Sequence, residues 1–161
     1  MPLPAVTIRN LLLTTDFSAD SAGAAPYAGY MAERFGATLY VLHVISNPLS
    51  RLYGPVARDY ASIVNNARSK ARELMATYEA ELGGPIEHHA LIREGDVVPE
   101  ILAVAREKNI DTIVIASHGE GGVRNLLLGS TARKVLHLAN CPVYIIRHHG
   151  GHQRGHPGRG S

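Results

Sequence analysis

Short apolar runs alternate along the chain with longer stretches whose apolar residues recur every three or four positions, which is the pattern of a parallel sheet wrapped by helices. NLLLTT (Asn10 to Thr15) and TLYVLHVI (Thr38 to Ile45) have the length and content of strands. Between them Ala25, Ala28, Met31, Ala32 and Phe35 mark one helical face, and Gly36 stops it as a helix C-terminal residue would. Pro26 interrupts this segment. Because proline lacks the N–H and strains the turn before it, the helix either starts late, around Ser21 to Gly23, or kinks.

The strongest periodicity runs through Tyr60, Ile63, Val64, Ala67, Ala71, Leu74, Met75, Tyr78 and Leu82, a long helix with one apolar face. IEHHALI (Ile86 to Ile92) reads as a strand and Val98 to Lys108 as a helix with Ile101, Leu102 and Ala105 inward. TIVIAS (Thr112 to Ser117) reads as a fully buried strand, Ser130 to Ala139 as a short helix and PVYIIR (Pro142 to Arg147) as the last strand. The reading is an α/β fold, a single domain over residues 1–147 with five strands and four helices. The tail 148–161, HHGGHQRGHPGRGS, offers no apolar anchor and is expected to be disordered.

Composition narrows the function classes. The 161 residues suit one domain, and the formal net charge is only +2, with Lys and Arg spread among Asp and Glu. No basic stripe points to nucleic acid. The single cysteine, Cys141, forms no internal disulfide and no zinc site, which fits a reducing compartment. The start lacks a signal-peptide pattern, and no apolar run approaches the ~20 residues of a membrane span, so the expectation is a cytoplasmic protein with no membrane partner.

In an open parallel sheet, ligands bind outside the carboxyl ends of the strands where strand order reverses. TTDFS, HVISN and ASHGEGG follow the first, second and fourth strands. The last opens the stretch ASHGEGGVRNLLLGST (116–131), with four glycines ahead of a helix. Unpaired N–H groups at a helix start attract an anion, Gly129 leaves space for close approach, and Ser130 and Thr131 add hydroxyls. The structural alternative is a serine or threonine cap with glycines that serve only the turn. It is no P-loop, since the lysine of G-x-x-x-x-G-K-[ST] is missing.

TTDFSADS, LHVI and ASHGEGGVRNLLLGST...CPVYIIR, taken together and in order, resemble the universal stress protein family over nearly the whole chain apart from the tail. Nucleotide-binding members carry G-x-x-G, nine residues, then G-[ST]; here A-S-H-G is followed by nine residues and G-S, with Ala116 in place of the first glycine. The resemblance implies the sheet order 3-2-1-4-5 with helices on both faces and a site for an adenine nucleotide, ATP with Mg or Mn on its phosphates. It implies that Thr14, Thr15 and Asp16 belong to the cofactor site, with Asp16 near sugar and base and accepting ribose hydroxyls, and that the Val44 backbone reads the adenine edge. Ile115, Ala116 and His118 would form the wall beside ribose and phosphates, and Gly119, Gly129, Ser130 and Thr131 would contact phosphate.

Asp16 has a second reading, an Asx turn into the first helix. Arg124 is either a phosphate partner or a solvated loop residue, and His118 a positioning group. His88 and His89 point to opposite faces of a strand and make a poor shared metal site. Three functions follow: a nucleotide-binding regulatory module of the stress response, an interaction module of the same family without nucleotide, and an enzyme acting on phosphates. The third needs a positioned base or metal cluster that the sequence does not show, so any ATP hydrolysis is expected to be slow. The last strand, Val143 to Arg147, is apolar on both faces and lies at the sheet edge in the implied order, so a homodimer through it is expected.

Overall fold

The computed structural model describes residues 5–46, 58–119 and 128–147. Five parallel strands, β1 (Asn10–Thr14), β2 (Thr38–Ile45), β3 (His88–Glu94), β4 (Thr112–Ala116) and β5 (Val143–Ile146), form one sheet in the order 3-2-1-4-5. The helices are α1 (Ala19–Ala22), α2 (Ala25–Phe35), α3 (Arg58–Glu79), α4 (Val97–Glu107) and α5 (Ser130–Leu138), with a 3-10 turn at Ala80–Leu82. The four helices expected are present, and a one-turn helix, α1, precedes the first of them.

Side-chain alternation sorts the core into two layers. Leu11, Leu13, Leu39, Val41, Val114 and Ala116 meet Ala25, Ala28 and Ala32 of α2 and Ala71, Met75 and Tyr78 of α3. Leu12, Leu42, Val44, Ile113 and Ile115 meet Ile101 and Val104 of α4 and Ala132 and Val135 of α5. Leu11, Leu12, Leu13 and Leu39 are wholly buried, each worth about 1.5–3 kcal/mol. The central strands therefore have to be apolar on both faces.

Pro26 neither kinks a helix nor ends one. The segment divides at Gly23, and Pro26 sits in the first turn of α2, where its missing N–H is not needed. Gly36 closes α2 with φ of 62°, the left-handed conformation that glycine takes without strain. β3 lies two residues later than the run of apolar residues suggests, because its pairing with β2 continues through Arg93 and Glu94, whose charges are tolerated at a sheet edge. In α4 it is Val104, with Ile101, that is fully buried, while Leu102 and Ala105 are half-buried. The apolar face of α3 is buried only in its C-terminal half; Ile63 and Leu74 are exposed, and the Tyr60 side chain lies outside those described.

Candidate functional site

The order 3-2-1-4-5 makes β1 the point where the chain reverses direction across the sheet, with β2 on one side and β4 on the other. The carboxyl ends of these strands open on a cavity of about 310 Å³. Thr14, Thr15 and Asp16 reach it from the end of β1, and Val44 from β2. Ile115, Ala116, His118 and Gly119 arrive from the end of β4, and Gly129, Ser130 and Thr131 from the start of α5. All eleven residues singled out from the sequence thus surround one space. Arg124 lies outside the described residues.

The Asp16 turn is tightly built. The Asp16 Oδ1 accepts from the Ser18 N–H at 3.0 Å and the Ser18 hydroxyl at 2.6 Å, so the Asx turn is formed. Ser18 in turn caps α1, accepting from the Ser21 N–H at 3.2 Å. The Asx turn and cavity roles of Asp16 are therefore compatible, since the same carboxylate closes the turn and lines the space. The other oxygen, Oδ2, lies against Gly119: a Cβ placed there would fall far inside its contact distance and 3.4 Å from Cγ. Glycine at 119 is what lets the carboxylate approach the loop backbone.

Gly129, which lines the cavity, also makes a contact that its sequence context does not suggest. Its N–H donates to the Ser117 carbonyl at 2.7 Å, and a Cβ would lie 2.9 Å from that same oxygen. The missing side chain thus allows the start of α5 to close on the end of β4. Gly129 is also the N-cap of α5, without a side-chain hydrogen bond, and Ser130 and Thr131 fall inside the first turn. Neither hydroxyl residue is the cap, so the backbone donors at this helix start have no side chain from the cap position. The first turn of a nine-residue helix brings its positive dipole end to the cavity wall.

Five further residues line the cavity: Ser21, Val97, Ile101, Ser117 and Ala132. Val97 and Ile101 join Val44 and Ile115 to make an apolar wall, and Ser117 and His118 are joined at 3.0 Å through Oγ and Nδ1. The α4 pair was detectable in principle, since the connection from β3 at one edge to β4 beyond β1 must cross the switch point. Nothing in the sequence singles out Ser21, Ser117 or Ala132. The arrangement can hold an anion at the α5 start, a flat apolar group at the α4 wall and a hydrogen-bond donor at Asp16.

A doubly wound α/β domain with a cavity at its switch point is the class that fold and site define. The sequence pattern of the universal stress protein family matches residues 7–147. A universal stress protein of Bacillus subtilis is 31% identical over 156 residues, covering 86% of this chain and 99% of its own. Hypothetical protein MJ0577 superimposes with a TM-score of 0.79 at 24% identity over 91% of this chain and all of its own. A universal stress protein in complex with cAMP (TM-score 0.60, 20% identity, 88% and 98% covered) and one from Archaeoglobus fulgidus in complex with dAMP (0.56, 24%, 88% and 99%) share the fold. The chain belongs to the universal stress protein family.

Proposed function

We propose that the cavity binds an adenine nucleotide, ATP with Mg or Mn carried on its phosphates, and that the protein acts as a nucleotide-responsive regulatory module of the stress response. The observation that carries the reading is the joining, in one cavity, of the uncapped α5 start with the Asp16 carboxylate. The first suits phosphate and the second ribose hydroxyls. Val44, Val97, Ile101 and Ile115 suit the faces of a base. The cAMP and dAMP complexes of related folds support the ligand class. Among the described residues no group of His, Cys, Asp or Glu is arranged to hold a metal, so a divalent cation would come with the phosphates.

The reading further assigns a cytoplasmic setting, which the free thiol of Cys141 supports, and no described helix is long and apolar enough to cross a membrane. It also assigns a homodimer through β5, which forms one edge of the sheet and leaves Tyr144 half-exposed. A second reading, an interaction module without nucleotide, draws on Ala116, which lines the cavity at the position where the family pattern has glycine. Denaturing the purified protein and identifying released small molecules by chromatography and mass separates the two. Near-stoichiometric adenine nucleotide is expected. A preparation that releases none and then takes up no ATP on titration overturns the nucleotide reading.

A further inference from the structure

Phe17 has φ of 63°, in the left-handed region that bulky side chains rarely occupy. Such a conformation persists only where its surroundings over-determine it. Here it sits between Asp16, which lines the cavity, and the first layer of the core, against which the Phe17 ring packs. Three supports hold it. The Phe17 N–H donates to the Thr15 hydroxyl at 3.0 Å. The ring lies 4.3 Å from that of His43, whose Nδ1–H donates to the Thr15 carbonyl at 2.9 Å, and edge-on to Tyr78 at 6.1 Å. The Tyr78 hydroxyl donates to the Ser21 carbonyl at 2.6 Å, and the Ser21 and Thr15 hydroxyls are 2.9 Å apart.

We propose that Tyr78 is a positioning residue for the nucleotide site, holding the Asp16 turn in place from helix α3 without touching the ligand. Tyr78 is buried and does not line the cavity. Its influence runs through Ser21, which bonds Thr15 by its hydroxyl and Ser18 by its N–H, and Ser18 holds the Asp16 carboxylate. Because a carboxylate discriminates by the direction of its lone pairs, loosening this chain weakens the contact Asp16 makes and spares contacts elsewhere in the cavity. The inference rests on the reading that Asp16 accepts ribose hydroxyls.

The test is calorimetric titration of wild type, Tyr78→Phe and Asp16→Asn with ATP and with 2′,3′-dideoxy-ATP, which lacks the hydroxyls in question. Tyr78→Phe is expected to weaken ATP about fivefold, the weight of one ordinary hydrogen bond. Its binding of dideoxy-ATP should match wild type, and adding it to Asp16→Asn should cost nothing more. Ser18→Ala, which removes the hydroxyl that joins the Ser21 N–H to the Asp16 carboxylate and leaves the Tyr78 ring untouched, should give the same selective loss and carries the test if Tyr78→Phe fails to fold. Unchanged ATP affinity, or equal loss on both ligands, overturns the positioning role. Wild-type protein that binds ATP and dideoxy-ATP equally removes the Asp16 contact itself, and wild-type protein that binds neither overturns the nucleotide reading and this inference with it.

Discussion

Replacing Gly119 by alanine asks whether the Asp16 carboxylate is part of the binding site. The backbone at 119 is outside the left-handed region, so alanine introduces no φ strain. Its Cβ would, however, overlap Asp16 Oδ2 and stand 3.4 Å from Cγ, and the carboxylate must swing away. Swinging moves Oδ1 off the Ser18 N–H and hydroxyl, now at 3.0 and 2.6 Å, or carries the group out of reach of a ligand. A hydrogen bond to a charged group is worth about 1.5–3 kcal/mol, which is roughly a ten- to hundredfold loss of affinity. Because Asp16 borders the cavity and the clash falls on a side-chain tip, the fold should survive. Calorimetric titration with ATP, alongside circular dichroism and thermal melting, measures both effects. In an Asp16→Ala background the same substitution should do nothing, since its target is gone. Affinity unchanged by Gly119→Ala in the wild-type background would refute the placement of Asp16 in the site.

Gly129→Val should weaken ATP binding at least about tenfold and also lower the melting temperature, because its Cβ meets the Ser117 carbonyl at 2.9 Å and pushes the α5 start off β4; equal affinity would mean that the loop does not hold phosphate. Ala116→Gly should leave ATP affinity equal or higher at a stability cost of about 0.5–1 kcal/mol for glycine in a strand, and a clear drop in affinity would show that the methyl group is a ligand contact. Burial raises the Tyr78 pKa from 10 to about 12, with the Asp16 charge adding to the shift and the Thr15 hydrogen bond opposing it. The neutral phenol is the form the fold favours, so its contribution is complete below pH 10 and is lost as pH rises toward 12. Between pH 9 and pH 11 denaturant melts should show wild type losing on the order of 1 kcal/mol more than Tyr78→Phe; parallel losses would contradict the burial argument. Tyr144→Lys, which changes a half-exposed residue of the edge strand β5, should shift sedimentation from dimer to monomer without altering circular dichroism, and a wild-type monomer at micromolar concentration would sink the pairing.

The strands were legible because β1, β2 and β4 are buried on both faces and so carry unbroken apolar runs, whereas their order, 3-2-1-4-5, was legible only through the family resemblance. Edges were less legible. β3 is bounded by pairing with β2 and not by its own residues, which is why its charged end, Arg93 and Glu94, was not visible as strand. The apolar period through Ile63 and Leu74 marks a helix but does not tell how much of its face is covered. The site residues at strand ends were findable by the switch-point rule and the spaced glycine motif. The supporting residues Ser21, His43 and Tyr78 were not, because their contacts join positions far apart in the chain and no local pattern announces them. Gly129 shows the same limit, since a glycine that admits a ligand and one that admits a neighbouring carbonyl look identical in sequence.

The most direct test of the central claim locates the ligand on the protein. Amide resonances of isotopically labelled protein, followed during titration with ATP and magnesium, report which residues the nucleotide reaches. Saturable shifts are expected at Asp16, Val44, Gly119, Ser130 and Thr131, the residues that meet at the carboxyl ends of β1, β2 and β4. Shifts absent from these residues, or confined to another face of the sheet, would contradict it.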